Sequence, residues 1–143
     1  MKATRIWLLD DDWISNLIHE VMIGHFQPTW EVEAFTQPCD FISLYRKLAQ
    51  LTPERLPDVL FLDLNMPRLN GWEVLDQLTD MERVCPILVL TSSIGKEDLD
   101  RSKQYPLVQG FISKPLCMRY LVRFFEKRQW RSSIHSHLIS PSQ

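Results

Sequence analysis

The chain has 143 residues, with 16 basic and 18 acidic side chains, a net charge of −2 and 45% hydrophobic residues. This length suits about one domain with a sizeable core, and the composition excludes an intrinsically disordered chain. The near-neutral charge argues against a protein that binds nucleic acid or an anionic membrane, because both classes need a basic surface. We therefore expect one globular domain with no nucleic-acid partner and no membrane partner.

The cysteine pattern and the N-terminal residues bear on the cellular compartment of the protein. Cys39, Cys85 and Cys117 are odd in number and lack the CxxC or CxxH spacing of a zinc site, so neither a disulfide framework nor a zinc site is indicated. No apolar run approaches the ~18 residues of a membrane helix, and the first apolar stretch is too short for a signal peptide. The sequence predicts a cytoplasmic protein.

Three short apolar runs predict strands that are covered on both faces, as in a parallel sheet. They are Ile6–Leu9, Val59–Leu62 and Ile87–Leu90. Two weaker runs, Trp30–Phe35 and Val108–Ile112, predict two further strands.

The stretches between the strands carry apolar residues every three or four positions, which is typical of helices. The helical positions are Ile14, Leu17, Ile18, Val21 and Met22; Phe41, Leu44, Leu48 and Leu51; Leu75, Leu78 and Met81; and Leu121, Phe124 and Phe125. A shorter, more polar helix is predicted over Lys96–Gln104. The alternation predicts an α/β fold with a flavodoxin-like, doubly wound parallel sheet of five strands in the order 2-1-3-4-5 and helices on both faces.

Polar residues follow four of the predicted strands. Asp10 and Asp11 follow the first strand, Asp63 the third, Thr91 the fourth and Lys114 the fifth. The carboxyl ends of parallel strands share one edge, and the ligand crevice lies where the strand order reverses, here between strands one and three. We therefore expect the three aspartates to converge, with Thr91 and Lys114 beside them.

This set of side chains indicates phosphate chemistry. Three carboxylates held together repel one another, and burial makes each charged form costlier. An all-oxygen donor set without histidine favours Mg²⁺, or Mn²⁺ in its place, over zinc. Lys114 and Thr91 offer an ammonium and a hydroxyl group to phosphate oxygens. A carboxylate can act as a nucleophile, so the pattern predicts phosphoryl transfer onto Asp63. Asp12 is expected to cap the first helix.

Four segments, in order, resemble the response-regulator receiver domains of two-component signalling, in particular stand-alone, chemotaxis-regulator-like ones. The segments are Leu8–Asp12, Asp58–Pro67 with Asn70-Gly71, Leu90–Ser93 and Gly110–Pro115. The resemblance extends from residue 5 to about residue 127. We therefore expect a receiver domain over 1–127, followed by a helix extension or a flexible serine-rich tail over 128–143.

The resemblance implies a role for each acidic residue of the site. Asp63 would be the phosphoacceptor. Asp10, Asp11 and Asp63 would hold the metal together with the backbone carbonyl of Asn65.

Further roles follow from the same resemblance. Thr91 would hydrogen-bond the phosphoryl group, and Lys114 would form an ion pair with it. The bond before Pro115 would be cis. Phe111 would be the switch aromatic that moves together with Thr91, and a phenylalanine at this position makes the switch depend on packing alone.

The resemblance also implies the biological role. The chain would be a stand-alone response regulator and not a turnover enzyme, phosphorylated by a sensor histidine kinase or a histidine phosphotransfer protein. Its output face, formed by the fourth helix, fifth strand and fifth helix (Lys96–Tyr105 and Leu116–Lys127), would bind a downstream protein, and a homodimer is possible. Trp13 and Trp72 are expected near the site, and His19 is expected on the surface.

Three alternatives stay open. A pseudo-receiver scaffold would share the fold without being phosphorylated. A flavodoxin-like FMN binder needs a phosphate-binding loop of Ser, Thr and Gly where this chain has three aspartates. A phosphatase with an aspartate nucleophile needs a second aspartate two positions later, where this chain has Asn65.

Overall fold

The computed structural model describes residues 3–81, 83–92 and 94–126. The strands are β1 (Arg5–Leu9), β2 (Glu31–Phe35), β3 (Val59–Leu62), β4 (Ile87–Thr91) and β5 (Val108–Ser113). The helices are α1 (Trp13–Phe26), α2 (Pro38–Leu51), α3 (Gly71–Thr79), α4 (Lys96–Ser102) and α5 (Met118–Leu121). A 3₁₀ turn (Pro53–Arg55) follows α2, and a π-helical segment (Val122–Glu126) continues α5. Lys127 and the predicted tail 128–143 lie outside the described residues.

The five strands form one parallel sheet in the order β2-β1-β3-β4-β5. This confirms the predicted strand order and the flavodoxin-like fold class. The register aligns Leu9 at the end of β1 with Phe35 on one side and with Leu62 on the other. The residues that follow Leu9 and Leu62 therefore emerge side by side at the carboxyl edge of the sheet.

Successive side chains of a strand point to opposite faces of the sheet. Here both faces are covered by helices, so both sets of side chains are buried. Trp7 and Leu9 pack into a layer with α2 and α3, whereas Ile6 and Leu8 pack into the opposite layer with residues of α1 and α5. The central strands therefore read as continuous apolar runs, each buried side chain contributing about 1.5–3 kcal/mol. Among the described residues, no helix combines the length and apolar character needed to cross a bilayer.

Helix α1 forms where it was predicted, but its apolar stripe faces outward. Five of its residues are 49–65% exposed: Trp13, Ile14, Leu17, Ile18 and Val21. We refer to these five residues as the α1 stripe. Its buried residues are Asn16, His19 and Ile23. The expectation that His19 lies on the surface is wrong, since only 2% of it is exposed.

Candidate functional site

The sheet register brings together the acidic residues that the sequence separates. The N–H of Asp63 donates to the carbonyl oxygen of Leu9 (3.0 Å), and the N–H of Asp10 donates to that of Phe35 (3.1 Å). Asp10 and Asp63 are buried, with 4% and 5% of their surface exposed, whereas Asp11 is exposed. One carboxylate oxygen from each of these three aspartates lies within 4.8 Å of the others. This is the predicted convergence.

Asp12 has a different position from its two acidic neighbours. Its carboxylate accepts a hydrogen bond from the N–H of Ile14 (3.0 Å) at the first turn of α1. Asp12 thus caps the helix, as expected, because a side-chain oxygen at this position satisfies an otherwise unpaired backbone donor.

Lys114 supplies the positive charge of the site. Its Nζ donates to Oδ2 of Asp10 and lies 3.6 Å from Oδ2 of Asp63. Its backbone N–H donates to the carbonyl oxygen of Thr91 (2.9 Å), and the Lys114–Pro115 peptide bond is cis. The side chain therefore lies over both buried carboxylates.

The two buried aspartates differ in their pKa. Burial and the charge of Asp10 raise the pKa of Asp63 to about 6. Burial also disfavours the charged form of Asp10, but the hydrogen bond from Lys114 and that from the N–H of Asp12 (3.0 Å) hold the pKa of Asp10 below its usual value. Asp10 therefore ionises more readily than Asp63. Ionising Asp63 costs free energy because of its burial and the nearby charge of Asp10.

Asn65 connects Asp63 with Thr91 through its side chain and its N–H. Its N–H donates to Oδ1 of Asp63 (3.3 Å), and its Nδ2 donates to Oγ1 of the buried Thr91 (3.2 Å). Sequence reasoning considered only the backbone carbonyl of Asn65 and missed both contacts. An amide two residues beyond a predicted reactive carboxylate is the signal that could have indicated them.

Gly71 lets α3 approach the backbone of the buried aspartate. A Cβ at this position would lie 2.6 Å from the carbonyl oxygen of Asp63 and 2.7 Å from the Cα of Leu64. The N–H of Gly71 also donates to the carbonyl oxygen of Leu64 (3.0 Å). The loop that carries Asp63 is therefore packed directly against the first turn of α3.

The ring of Trp72, at the start of α3, lies next to Phe111 and to α4. Phe111 is fully buried in β5, with its ring centroid 6.4 Å from that of Trp72. The Trp72 ring also lies 5.5 Å from the ring of Tyr105 and 4.7 Å from the guanidinium group of Arg101 in α4. Trp72 follows Gly71, so it is close to the site as expected. Trp13, at the start of α1, is 65% exposed, and its expected proximity to the site stays a prediction.

Two polar residues of α1 that sequence reasoning did not assign to the site lie beneath it. Asn16 and His19 line a small cavity of ≈ 10 Å³ together with Asp10 and Asp63. Burial and the charge of Lys114 lower the pKa of His19 to about 4, so the imidazole is neutral at pH 7 and adds no positive charge to the site. Their spacing of three positions, opposite a continuous apolar stripe, is the signal that could have shown this buried polar face.

The residues present fit a magnesium ion. The three clustered ligands are carboxylate oxygens, which are the hard donors that Mg²⁺ prefers. When all three carboxylates are ionised, Lys114 compensates one of three negative charges. The remaining two match the charge of one divalent cation.

Comparison with known proteins identifies a family for this chain. The family model for the response regulator receiver domain matches residues 6–126. A probable methanogenesis regulatory protein of Methanothrix harundinacea is 36% identical over 90 residues, which are 60% of this chain and 57% of that protein. The chemotaxis protein CheY of Halobacterium salinarum is 25% identical over 114 residues, covering 79% of this chain and 86% of that protein.

The fold of the chain is also similar to solved structures of response regulators. A two-component response regulator from Cytophaga hutchinsonii has a TM-score of 0.78 and 26% identity, covering 89% of this chain and 97% of that chain. The chain spans about half the length of several curated relatives, including 57% of the methanogenesis regulator and 48% of the transcriptional regulatory protein CreB of Escherichia coli. From its fold, its acidic site and these matches, we conclude that the chain belongs to the family of response regulator receiver domains.

Proposed function

We propose that this receiver domain is phosphorylated on Asp63 and signals by binding another protein. The observation that carries the proposal is the meeting of Asp63 with Asp10, Asp11 and Lys114 in one pocket. Family membership supports it, since magnesium and an aspartyl phosphate are typical of the family. The cytoplasmic location expected from the sequence is part of the proposal.

In the proposed reaction, an oxygen of the Asp63 carboxylate attacks the phosphorus of a phosphohistidine. A P–O bond to Asp63 forms, the P–N bond of the donor breaks, and the imidazole leaves with the electron pair of that bond. A magnesium ion held by Asp10, Asp11, Asp63 and the backbone carbonyl of Asn65 would stabilise the charge on the transferred group.

The chain's own residues prepare the pocket for that charge. Lys114 is close enough to Asp63 to pair with a phosphoryl oxygen after transfer. The hydroxyl of Thr91 accepts a hydrogen bond from Asn65, which leaves its proton free to be donated to the phosphoryl group. These two residues are the proposed phosphoryl contacts.

The α1 stripe is the proposed docking face for the phosphodonor, a sensor histidine kinase or histidine phosphotransfer protein. Its residues are spaced at three and four positions, which suits packing against another helix. The stripe begins at Trp13, directly after the acidic run, so a helix lying along it would bring a histidine close to Asp63. A contiguous exposed apolar surface is typical of such interaction sites.

The proposed response is a change at the face formed by α4, β5 and α5. Phosphorylation would draw Thr91 and Lys114 toward the new charge, and Phe111 would repack into the space that Thr91 leaves. We expect chemical shift changes over Lys96–Tyr105 and Leu116–Glu126 when the phosphate mimic beryllofluoride is added with magnesium. Unchanged shifts on this face would contradict the proposed output surface.

Incubation with acetyl phosphate and Mg²⁺, followed by intact mass measurement, tests the central proposal. We expect a gain of one phosphoryl group in the parent protein and none in Asp63→Asn. Asp12→Asn is the matched control, because asparagine caps a helix as well as aspartate does, and it should be labelled like the parent. A parent that gains no mass would favour the pseudo-receiver alternative.

A further inference from the structure

Asn16 fixes the backbone that carries two of the proposed metal ligands. Its Nδ2 donates to the carbonyl oxygen of Asp10 (3.0 Å) and to that of Phe35 (3.2 Å). The Asp10 carbonyl belongs to the peptide plane that joins Asp10 to Asp11. The carboxylates of these two residues extend from either side of that plane, so its orientation sets both.

The same residue joins three elements at this point. Asn16 is 97% buried within α1, and its backbone N–H donates to the carbonyl oxygen of Asp12 (3.1 Å) in the first helical turn. The Phe35 carbonyl that receives its side chain also accepts the N–H of Asp10. Asn16 thus ties the start of α1 to the ends of β1 and β2, around the acidic run.

Apolar packing does little to hold this end of the helix. In the first two turns of α1 the fully buried side chains are Asn16 and His19, whereas the α1 stripe points outward. The apolar anchor Ile23 lies two turns beyond Asn16. The position of the Asp10–Asp11 peptide therefore depends on the Asn16 amide more than on hydrophobic burial.

On the basis of the proposed function, we infer that Asn16 is a positioning residue for magnesium. It acts through the peptide plane between Asp10 and Asp11 and touches neither the ion nor the phosphoryl group. Groups that orient metal ligands in this way typically change metal affinity by about 10–100-fold when they are removed.

The test is a Mg²⁺ titration by calorimetry of the full chain and of Asn16→Leu, which keeps the number and branching of the side-chain heavy atoms and removes the amide. We expect the Kd for Mg²⁺ to rise about tenfold or more. Gln109→Leu is the matched control, because Gln109 is also a buried amide that donates to a backbone carbonyl, that of Pro106 (3.2 Å), but lies at the start of β5. Its Kd should equal that of the parent.

Urea unfolding without Mg²⁺ separates positioning from a merely structural role. The inference is overturned if both variants lose similar stability and Asn16→Leu keeps the parent's Kd, while the parent still binds Mg²⁺ and is phosphorylated. A parent that does not bind Mg²⁺ overturns this inference and the proposed metal site together. Asn16→Ala is titrated in the same way if the leucine variant does not fold.

Discussion

The ammonium group of Lys114 donates to the carboxylate of Asp10, a residue 104 positions earlier, and lies farther from Asp63. Lys114 therefore pairs with one carboxylate of the proposed metal site, and its positive charge repels the ion. The Lys114–Asp10 pair thus opposes cation binding before phosphorylation.

Replacing this lysine should tighten magnesium binding. The repulsion between a divalent ion and the Lys114 ammonium a few ångströms away is at least ~1 kcal/mol, or about fivefold in Kd. We expect Lys114→Met to bind Mg²⁺ more tightly by this factor in a calorimetric titration, while its labelling by acetyl phosphate slows. Weaker Mg²⁺ binding by this variant would show that Lys114 supports the ligand geometry more than it competes with the ion.

The raised pKa of Asp63 predicts a pH-dependent stability. Because the folded-state pKa of about 6 lies above the usual aspartate pKa of 3.8, the folded protein holds more protons between these values, and the Asp63 contribution to stability falls as pH rises from about 4 to 6. In the absence of metal, Asp63→Asn should therefore be more stable than the parent at pH 7.5, by about 3 kcal/mol, and close to it below pH 4.

Urea unfolding at both pH values, with a chelator present, measures this difference. If Asp63→Asn differs from the parent in free energy of unfolding by the same amount at both pH values, the raised pKa of Asp63 is not the cause of the difference.

Two glycines should respond to alanine in opposite directions. Gly71→Ala places a Cβ 2.6 Å from the Asp63 carbonyl oxygen, so we expect a loss of about 1–3 kcal/mol and slower labelling by acetyl phosphate. Gly24 in α1 has no atom within 4 Å of its added Cβ, so Gly24→Ala should stabilise by about 0.5–1 kcal/mol. Denaturant unfolding of both variants checks the pair, and equal effects would exclude the close approach at Gly71.

The outward orientation of the α1 stripe can be tested with two isoleucines of the same helix. Ile18→Glu changes a side chain that is 49% exposed, so the free energy of unfolding should change by no more than about 0.5 kcal/mol. Ile23→Glu buries a charge at a fully buried position and should cost several kcal/mol. Chemical unfolding measures both.

Labelling by acetyl phosphate should be unchanged in Ile18→Glu, because this small donor needs no docking face. Sedimentation of the parent and of Ile18→Glu reports whether the stripe instead joins two copies of the chain. Destabilisation of Ile18→Glu comparable to that of Ile23→Glu would place the stripe inside the core.

The strand order and the acidic cluster were predictable because short, contiguous sequence segments indicate both of them. Each central strand is a short apolar run, and the polar residue that ends it, such as Asp10 or Asp63, marks the carboxyl edge of the sheet. Parallel pairing then brings those ends together, whatever the length of chain between them.

The orientation of α1 was not predictable in the same way. A period of three or four residues indicates a helix but not which face is buried. The choice depends on the carbonyl oxygens of Asp10 and Phe35, which are both available to the amide of Asn16 only after β1 and β2 have paired. The close approach at Gly71 and the contact between Asn65 and Thr91 likewise exist only in the assembled fold.

Because the side chains of the α1 stripe point away from the core, mutation can alter them without disturbing folding or the chemistry at the carboxyl edge. With the α1 stripe as the proposed docking face for the phosphodonor, duplicated copies of such a gene could therefore diverge at these five positions and acquire separate upstream signals. Each copy would keep the same reaction, and unwanted crosstalk between pathways would be limited by the shape of one helix surface.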